Sequence, residues 1–241
     1  LEYQEQAVLN AKRILEEYGG VFISDVVGVG KTFICAMLAS QLDGRTLVIA
    51  PPALLERNNP NSWPNVLSDF RVAADFESVG KLEELVNMDV EKYKNVIVDE
   101  AHRFRTETTL SYEYLAEICR GKRVILVTAT PYNNTPRDIL SQIKLFQNAR
   151  RSTIPNLPDI EGFISKLEKN LKGIDRQKDY HSYMNIVRKN ASEIRDKLLK
   201  YLMVRRTRSE IMKYFASDLQ QQNIRFPEAE APCPLYYQFN G

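Results

Sequence analysis

Residues 21–32, Val-Phe-Ile-Ser-Asp-Val-Val-Gly-Val-Gly-Lys-Thr, constrain the fold more than any other stretch. A short apolar run, 21–23, stops at Ser24 and Asp25, and a loop carrying Gly28, Val29 and Gly30 follows. Lys31 and Thr32 then open an amphipathic stretch, 33–42. Strand, glycine-bearing loop and helix is the order that a phosphate-binding loop requires. Glycines let backbone N–H groups turn toward an anion without a Cβ in the way, and the helix N-terminus adds positive partial charge there. Lys31 supplies a point charge for the outer phosphates and the Thr32 hydroxyl a ligand for Mg²⁺. The usual pattern begins with Gly five residues before the second glycine; here that position is Asp25.

The strand signals that follow decide the architecture. Residues 46–50 (Thr-Leu-Val-Ile-Ala), 95–99 and 123–128 read as buried strands, with a weaker one at 76–79. Helical spacing predicts helices over 2–18, 66–70, 81–86, 108–119 and 136–147. Strands alternating with helices predict an α/β fold with a central parallel sheet covered on both faces, active residues lying at the carboxyl ends of the strands. From about residue 155 the strand signal stops. Segments 160–171 and 180–201 read as charged helices, 205–215 as another, and 220–241, with Pro227, Pro232 and Pro234, as a linker or terminal strand.

Two strand ends carry further chemistry. Val96-Ile97-Val98-Asp99-Glu100-Ala101-His102 delivers two adjacent carboxylates, which alternation aims apart. Asp99 suits the water shell of a Mg²⁺ ion, and Glu100 suits orienting or deprotonating an attacking water. Ile125-Leu126-Val127-Thr128-Ala129-Thr130-Pro131 ends in a hydroxyl pair near the Glu100/His102 end of the sheet, able to change partners when a γ-phosphate leaves.

Composition bounds the rest. The 241 residues, 44% hydrophobic and 27% charged, suit a globular protein, and no apolar run approaches the roughly 18 residues of a membrane span. The polar start, without Met, reads as an excised or processed fragment with no signal peptide. Three separated cysteines, Cys35, Cys119 and Cys233, read as reduced thiols of a cytoplasmic protein, and two histidines leave no His-rich metal site. The net charge of +2 divides unevenly: residues 1–150 carry 17 Lys+Arg against 20 Asp+Glu, and 151–241 carry 16 against 11. The basic third suits either a solvated helical face or a surface facing a polyanion.

Taken together, Asp25-x-x-Gly28-x-Gly30-Lys31-Thr32, Asp99-Glu100-Ala101-His102 and Thr128-Ala129-Thr130-Pro131 resemble motifs I, II and III of superfamily 2 helicases. More narrowly, the chain resembles the first, N-terminal RecA-like lobe of a Swi/Snf-like DNA translocase, a group that tolerates Asp at the first loop position. Tyr3-Gln4 resembles the group's adenine-recognition glutamine, residues 47–55 with Trp63 its motif Ia, and 202–208 its arginine-rich segment. Ala53 stands where the group usually has Ser, Trp63 is displaced by an insertion around 57–61 and reads as a packing residue, and Ala129 replaces a common Gly.

The resemblance implies a RecA-like three-layer sandwich over 1–150, a helical protrusion returning to the lobe over 151–216, and a linker over 217–241 toward a second RecA-like lobe. It implies ATP and Mg²⁺ as cofactors and nucleic acid, with duplex DNA as the expected track, as partner. His102, Thr128 and Thr130 would couple nucleotide state to the other lobe, while Pro51, Ala53, Arg205 and Arg206 would meet nucleic acid. The second lobe would supply arginine fingers, so the fragment alone is expected to be nearly inactive. A restriction-type DNA translocase and a nucleotide-gated nucleic-acid-binding module without turnover are the competing readings.

Overall fold

The computed structural model describes residues 1–24, 30–129, 135–172, 174, 177–205 and 207–221. Asp25, Gly28, Val29, Thr130, Arg206 and Cys233, all singled out above, lie outside the described residues.

Six parallel strands form one sheet in the order β3-β2-β4-β5-β1-β6. They are β1 (Gly20–Ile23), β2 (Arg45–Ala50), β3 (Ala74–Ser78), β4 (Tyr93–Asp99), β5 (Arg123–Val127) and β6 (Met203–Val204). Consecutive residues of β1, β2, β4 and β5 are buried, so both faces of the sheet are covered. This is why those strands read as unbroken apolar runs rather than alternating ones. The expected α/β fold with a parallel sheet is what forms.

Helix α1 (Glu2–Tyr18) buries Ala7, Val8, Ala11, Ile14, Leu15 and Tyr18, and ends at Gly19, whose φ of 77° closes the helix in a left-handed turn. Gly20 then enters β1 against the Phe146 ring, which lies where any Cβ at that position would go. Helices α2 (Lys31–Ala39), α3 (Trp63–Asp69), α4 (Leu82–Val86), α5 (Leu110–Cys119) and α6 (Pro136–Ile143) follow their strands in turn. Helix α3 starts at Trp63, three residues before the expected 66, because Pro64 suits a first helical turn.

Helices α7 (Ile160–Leu171) and α8 (Tyr180–Ile194) make the charged segment predicted after the strands. Buried Asn190 of α8 donates to the Leu167 carbonyl of α7 at 2.9 Å, and Ile160, Ile164, Leu167, Ile194 and Leu198 join the core built on the sheet. Helix α8 runs through a wide turn, Arg195–Leu199, into α9 (Lys200–Leu202). The chain then re-enters the sheet as β6, a correction to the expectation that strands stop near residue 155. Two residues carry no periodicity to detect, yet Ser24 N–H donates to the Val204 carbonyl at 3.0 Å and extends the pairing. Helices α10 (Arg208–Tyr214) and α11 (Ala216–Gln221) follow, so α11 occupies the first residues of the stretch expected to be a linker. Ile211 and Phe215 pack on Tyr3 of α1 in a second small cluster.

Candidate nucleotide site

Register collects the predicted residues on one edge. Ile23, Val127 and Asp99 stand level across β1, β5 and β4, so Ser24, Thr128 and Glu100 all leave the sheet at its carboxyl edge. Strands β1 and β4 are not adjacent; they flank β5. The segments expected to share one ligand therefore reach it from either side of the strand that carries Thr128.

Gly30 caps α2 with φ 82° and ψ 43°, and Lys31 and Thr32 are the first two residues of that helix. A Cβ on Gly30 would stand 2.8 Å from the Gln4 side-chain amide nitrogen. A bare backbone at the helix start thus lies beside the glutamine expected to read adenine, a cradle that a side chain would fill. This structure brings Gln4, Gly30 and Lys31 together, although the two residues expected to complete the loop, Gly28 and Val29, are not described.

Asp99 is 7% exposed. Burial pushes its carboxyl above the ordinary aspartate range, opposed by hydrogen bonds from the Trp63 indole and the Glu100 amide and by the Lys31 ammonium charge. The indole Nε1–H donates to Oδ2 at 2.8 Å, and the Glu100 amide donates to Oδ1 at 2.8 Å. An Asp desolvated this far, with a cation felt across the edge, suits a site where a divalent ion restores the balance of charge. Among the described residues no three His, Cys, Asp or Glu side chains cluster as a metal cage.

Glu100 points elsewhere for a reason other than strand alternation. It adopts φ 52° and ψ 43°, a left-handed conformation rare for a residue with a side chain and of the kind that collects at functional sites. Its Oε2 lies 3.0 Å from His102 Nδ1, and the same ring nitrogen lies 3.5 Å from the Thr128 hydroxyl. Glu100, His102 and Thr128 therefore form one polar chain across β4 and β5, as the two motifs imply.

The residues expected to face nucleic acid are more dispersed. Pro51 immediately precedes, and exposed Ala53 lies within, a short 3₁₀ turn, Pro52–Leu54, just past the carboxyl end of β2. Exposed Arg205 follows β6 and lines a cleft of about 220 Å³ with Arg13 and Lys200. Trp63, read as a packing residue, is indeed buried at 1% exposure, but it also holds Asp99, a contact that 36 residues of separation conceal in the sequence.

The model of the SNF2-related domain matches residues 57–230. Chromodomain-helicase-DNA-binding protein 1-like of Danio rerio is 26% identical over 174 residues, 60% of this chain and 17% of that protein. A protein of Acanthamoeba polyphaga mimivirus named as an ATP-dependent RNA helicase is 28% identical over 122 residues, 50% of this chain and 27% of its own length. Among solved structures, the Sulfolobus solfataricus SWI2/SNF2 ATPase core in complex with dsDNA aligns with a TM-score of 0.57 at 18% identity, covering 85% of this chain and 44% of that one. The chain spans well under a third of the curated relatives it matches.

Proposed function

Because the chain belongs to the SNF2-related domain family, we propose that it is the ATP-binding lobe of a superfamily 2 helicase or translocase that couples ATP hydrolysis to movement along nucleic acid, with duplex DNA as the track. One observation carries this reading. Lys31, the first residue of the helix that follows β1, and the buried Asp99 at the end of β4 stand at the same carboxyl edge of the sheet on either side of β5, with Glu100 beside Asp99.

In this reading Lys31 neutralises the outer phosphates, and Thr32 and Asp99 would hold Mg²⁺. When bound, the ion would supply positive charge that offsets the negative charge developing on the phosphoryl group. Glu100, held away from Asp99 by its backbone turn, orients the attacking water and accepts its proton. Gln4 reads the base. His102 shares its ring nitrogen between Glu100 and Thr128, so a change at either partner alters the other's hydrogen bond; with Thr130 it would pass nucleotide state to a second RecA-like lobe. Pro51 and Ala53 would face nucleic acid, and Arg205 and Arg206 would meet its phosphates, making binding sequence-tolerant and salt-sensitive. Residues 1–150 are then the lobe, 151–216 a protrusion that returns to it, and 217–241 a linker.

The test is ATP turnover by the full-length protein with duplex DNA, single-stranded DNA and RNA. Turnover stimulated most by duplex DNA and lost in Lys31→Ala is the expected result. Tight nucleotide binding without stimulated turnover would leave instead a nucleotide-gated binding module. The isolated 241 residues should bind ATP·Mg²⁺ weakly and barely hydrolyse it, since an arginine finger from a second lobe is worth about 10³–10⁵ in turnover; robust stimulated turnover by this chain alone would overturn that.

A further inference from the structure

Given the nucleotide site proposed above, on which this step rests, we infer that Trp63 is a positioning residue for the metal carboxylate: its indole N–H fixes Asp99 before any ligand arrives. Both partners are buried, at 1% and 7% exposure, and the donor–acceptor distance is 2.8 Å. With Oδ1 held by the Glu100 amide and Oδ2 by the indole, each carboxylate oxygen has a fixed donor and the plane of the group is set. Outer partners of this kind govern how well a ligating group meets its metal.

The way α3 is anchored supports a role for the indole beyond filling space. Ser62, the residue before the helix, makes no side-chain cap bond, and its hydroxyl is buried without a partner. The start of α3 is held by other contacts. Asn65 donates to the carbonyls of Arg57 at 2.9 Å and Asn59 at 2.8 Å, clamping the inserted loop onto the helix. Trp63 reaches from that clamped end to the tip of β4. A phenylalanine would fill much of the same space and lack the N–H. A buried N–H costs free energy unless it finds an acceptor, and here the acceptor is the one carboxylate on which the proposed metal depends.

Trp63 is the single tryptophan of the chain, so indole emission reports the surroundings of this side chain, its bond to Asp99 among them. The probes are ADP and Mg²⁺, with bound ADP measured by equilibrium dialysis on the 241-residue chain. Mg²⁺·ADP is expected to change the emission, whereas ADP bound in the presence of EDTA leaves it near the nucleotide-free spectrum. In Trp63→Phe the Mg²⁺ concentration that half-saturates ADP binding should rise about tenfold, with metal-free ADP affinity within twofold of the parent. A purely structural role would lower the melting temperature and weaken both affinities together, and that result overturns the inference. So does Mg²⁺-dependent ADP binding with silent emission, a measurement on the unsubstituted chain that stands even if Trp63→Phe fails to fold. Absence of ADP binding with or without Mg²⁺ would remove the nucleotide site itself, and this role with it; a silent indole beside Mg²⁺-dependent binding would remove this role only.

Discussion

The amino ends of strands β2, β3, β4 and β5 carry charged residues, as does the carboxyl end of β4, and the two ends of the sheet treat charge in opposite ways. At the amino end, carboxylates are answered by cations. Asp43 accepts from Lys94 at 2.8 Å and from Arg123, and Asp75 accepts from Arg45 and the Tyr93 hydroxyl, each at 2.8 Å. Hydrogen bonds from Lys94 and Arg123 hold the Asp43 carboxyl down at about 2, and the Arg45 guanidinium holds Asp75 well below the usual range. At the carboxyl end Asp99 is buried and raised, its close donors are neutral, and its neighbour Glu100 sits in a left-handed backbone conformation. One end is complete without a ligand. The other holds a desolvated carboxylate and local strain, the state expected of groups kept for chemistry rather than for stability.

The largest effects should therefore come from the carboxyl end and appear in function rather than in folding. Glu100→Gln keeps the size of the side chain and removes its basicity. In the full-length protein it should lower stimulated ATP turnover by about 10²–10⁴-fold, with nucleotide affinity little changed and a melting temperature equal to or above the parent's. A comparable loss of affinity would mean that Glu100 binds the nucleotide instead of activating water. Lys31→Ala removes a charged donor, and losing one such bond costs about 1.5–3 kcal/mol. Nucleotide affinity should fall by roughly ten- to a hundredfold, again with little change in melting temperature.

Gly30→Ala joins the two kinds of effect. The φ of 82° disfavours any side chain by roughly 1–2 kcal/mol, so the melting temperature should fall by a few degrees. The new Cβ also displaces the Gln4 amide, which stands 2.8 Å from it, so nucleotide affinity should drop as well. A Gly30→Ala protein less stable but with full affinity would separate Gln4 from the site.

How much of this could be read from sequence follows from where each constraint lies. β2, β4 and β5 are buried on both faces, so 46–50, 95–99 and 123–128 stand out as apolar runs, and the carboxyl-edge residues follow from where those runs stop. His102 and Thr128 meet because two adjacent parallel strands end level, which topology dictates. β6 escapes because two residues at a sheet edge leave no pattern, and only the tertiary pairing of Phe22 and Ile23 with Met203 and Val204 creates it. The separation of Asp99 from Glu100 comes from a turn at φ 52°, not from the alternation that the strand suggests. Trp63 was hidden for another reason. Its partner is fixed by the packing of α3 against the end of β4, and a lone tryptophan in a loop-rich stretch gives no hint of that.

The smallest predicted effect lies at the amino end and tests the contrast from the other side. Asp43→Asn removes a carboxylate shared by Lys94 and Arg123, but the group is exposed and water screens the pair. The melting temperature at neutral pH should fall by only a degree or two, and nucleotide binding should not change. The acid behaviour is more diagnostic. Because the folded-state carboxyl titrates at about 2, below the unfolded value of about 4, the parent's pairing contributes fully above pH 4 and disappears as pH falls from about 4 through 2. Asp43→Asn lacks that group, so the difference in melting temperature between variant and parent should shrink across this interval and vanish near its bottom. A difference that persists below pH 2 would assign the loss to something other than the ion pair. A loss of nucleotide affinity in the same variant would mean that the amino end is not energetically separate from the edge where ATP is proposed to bind.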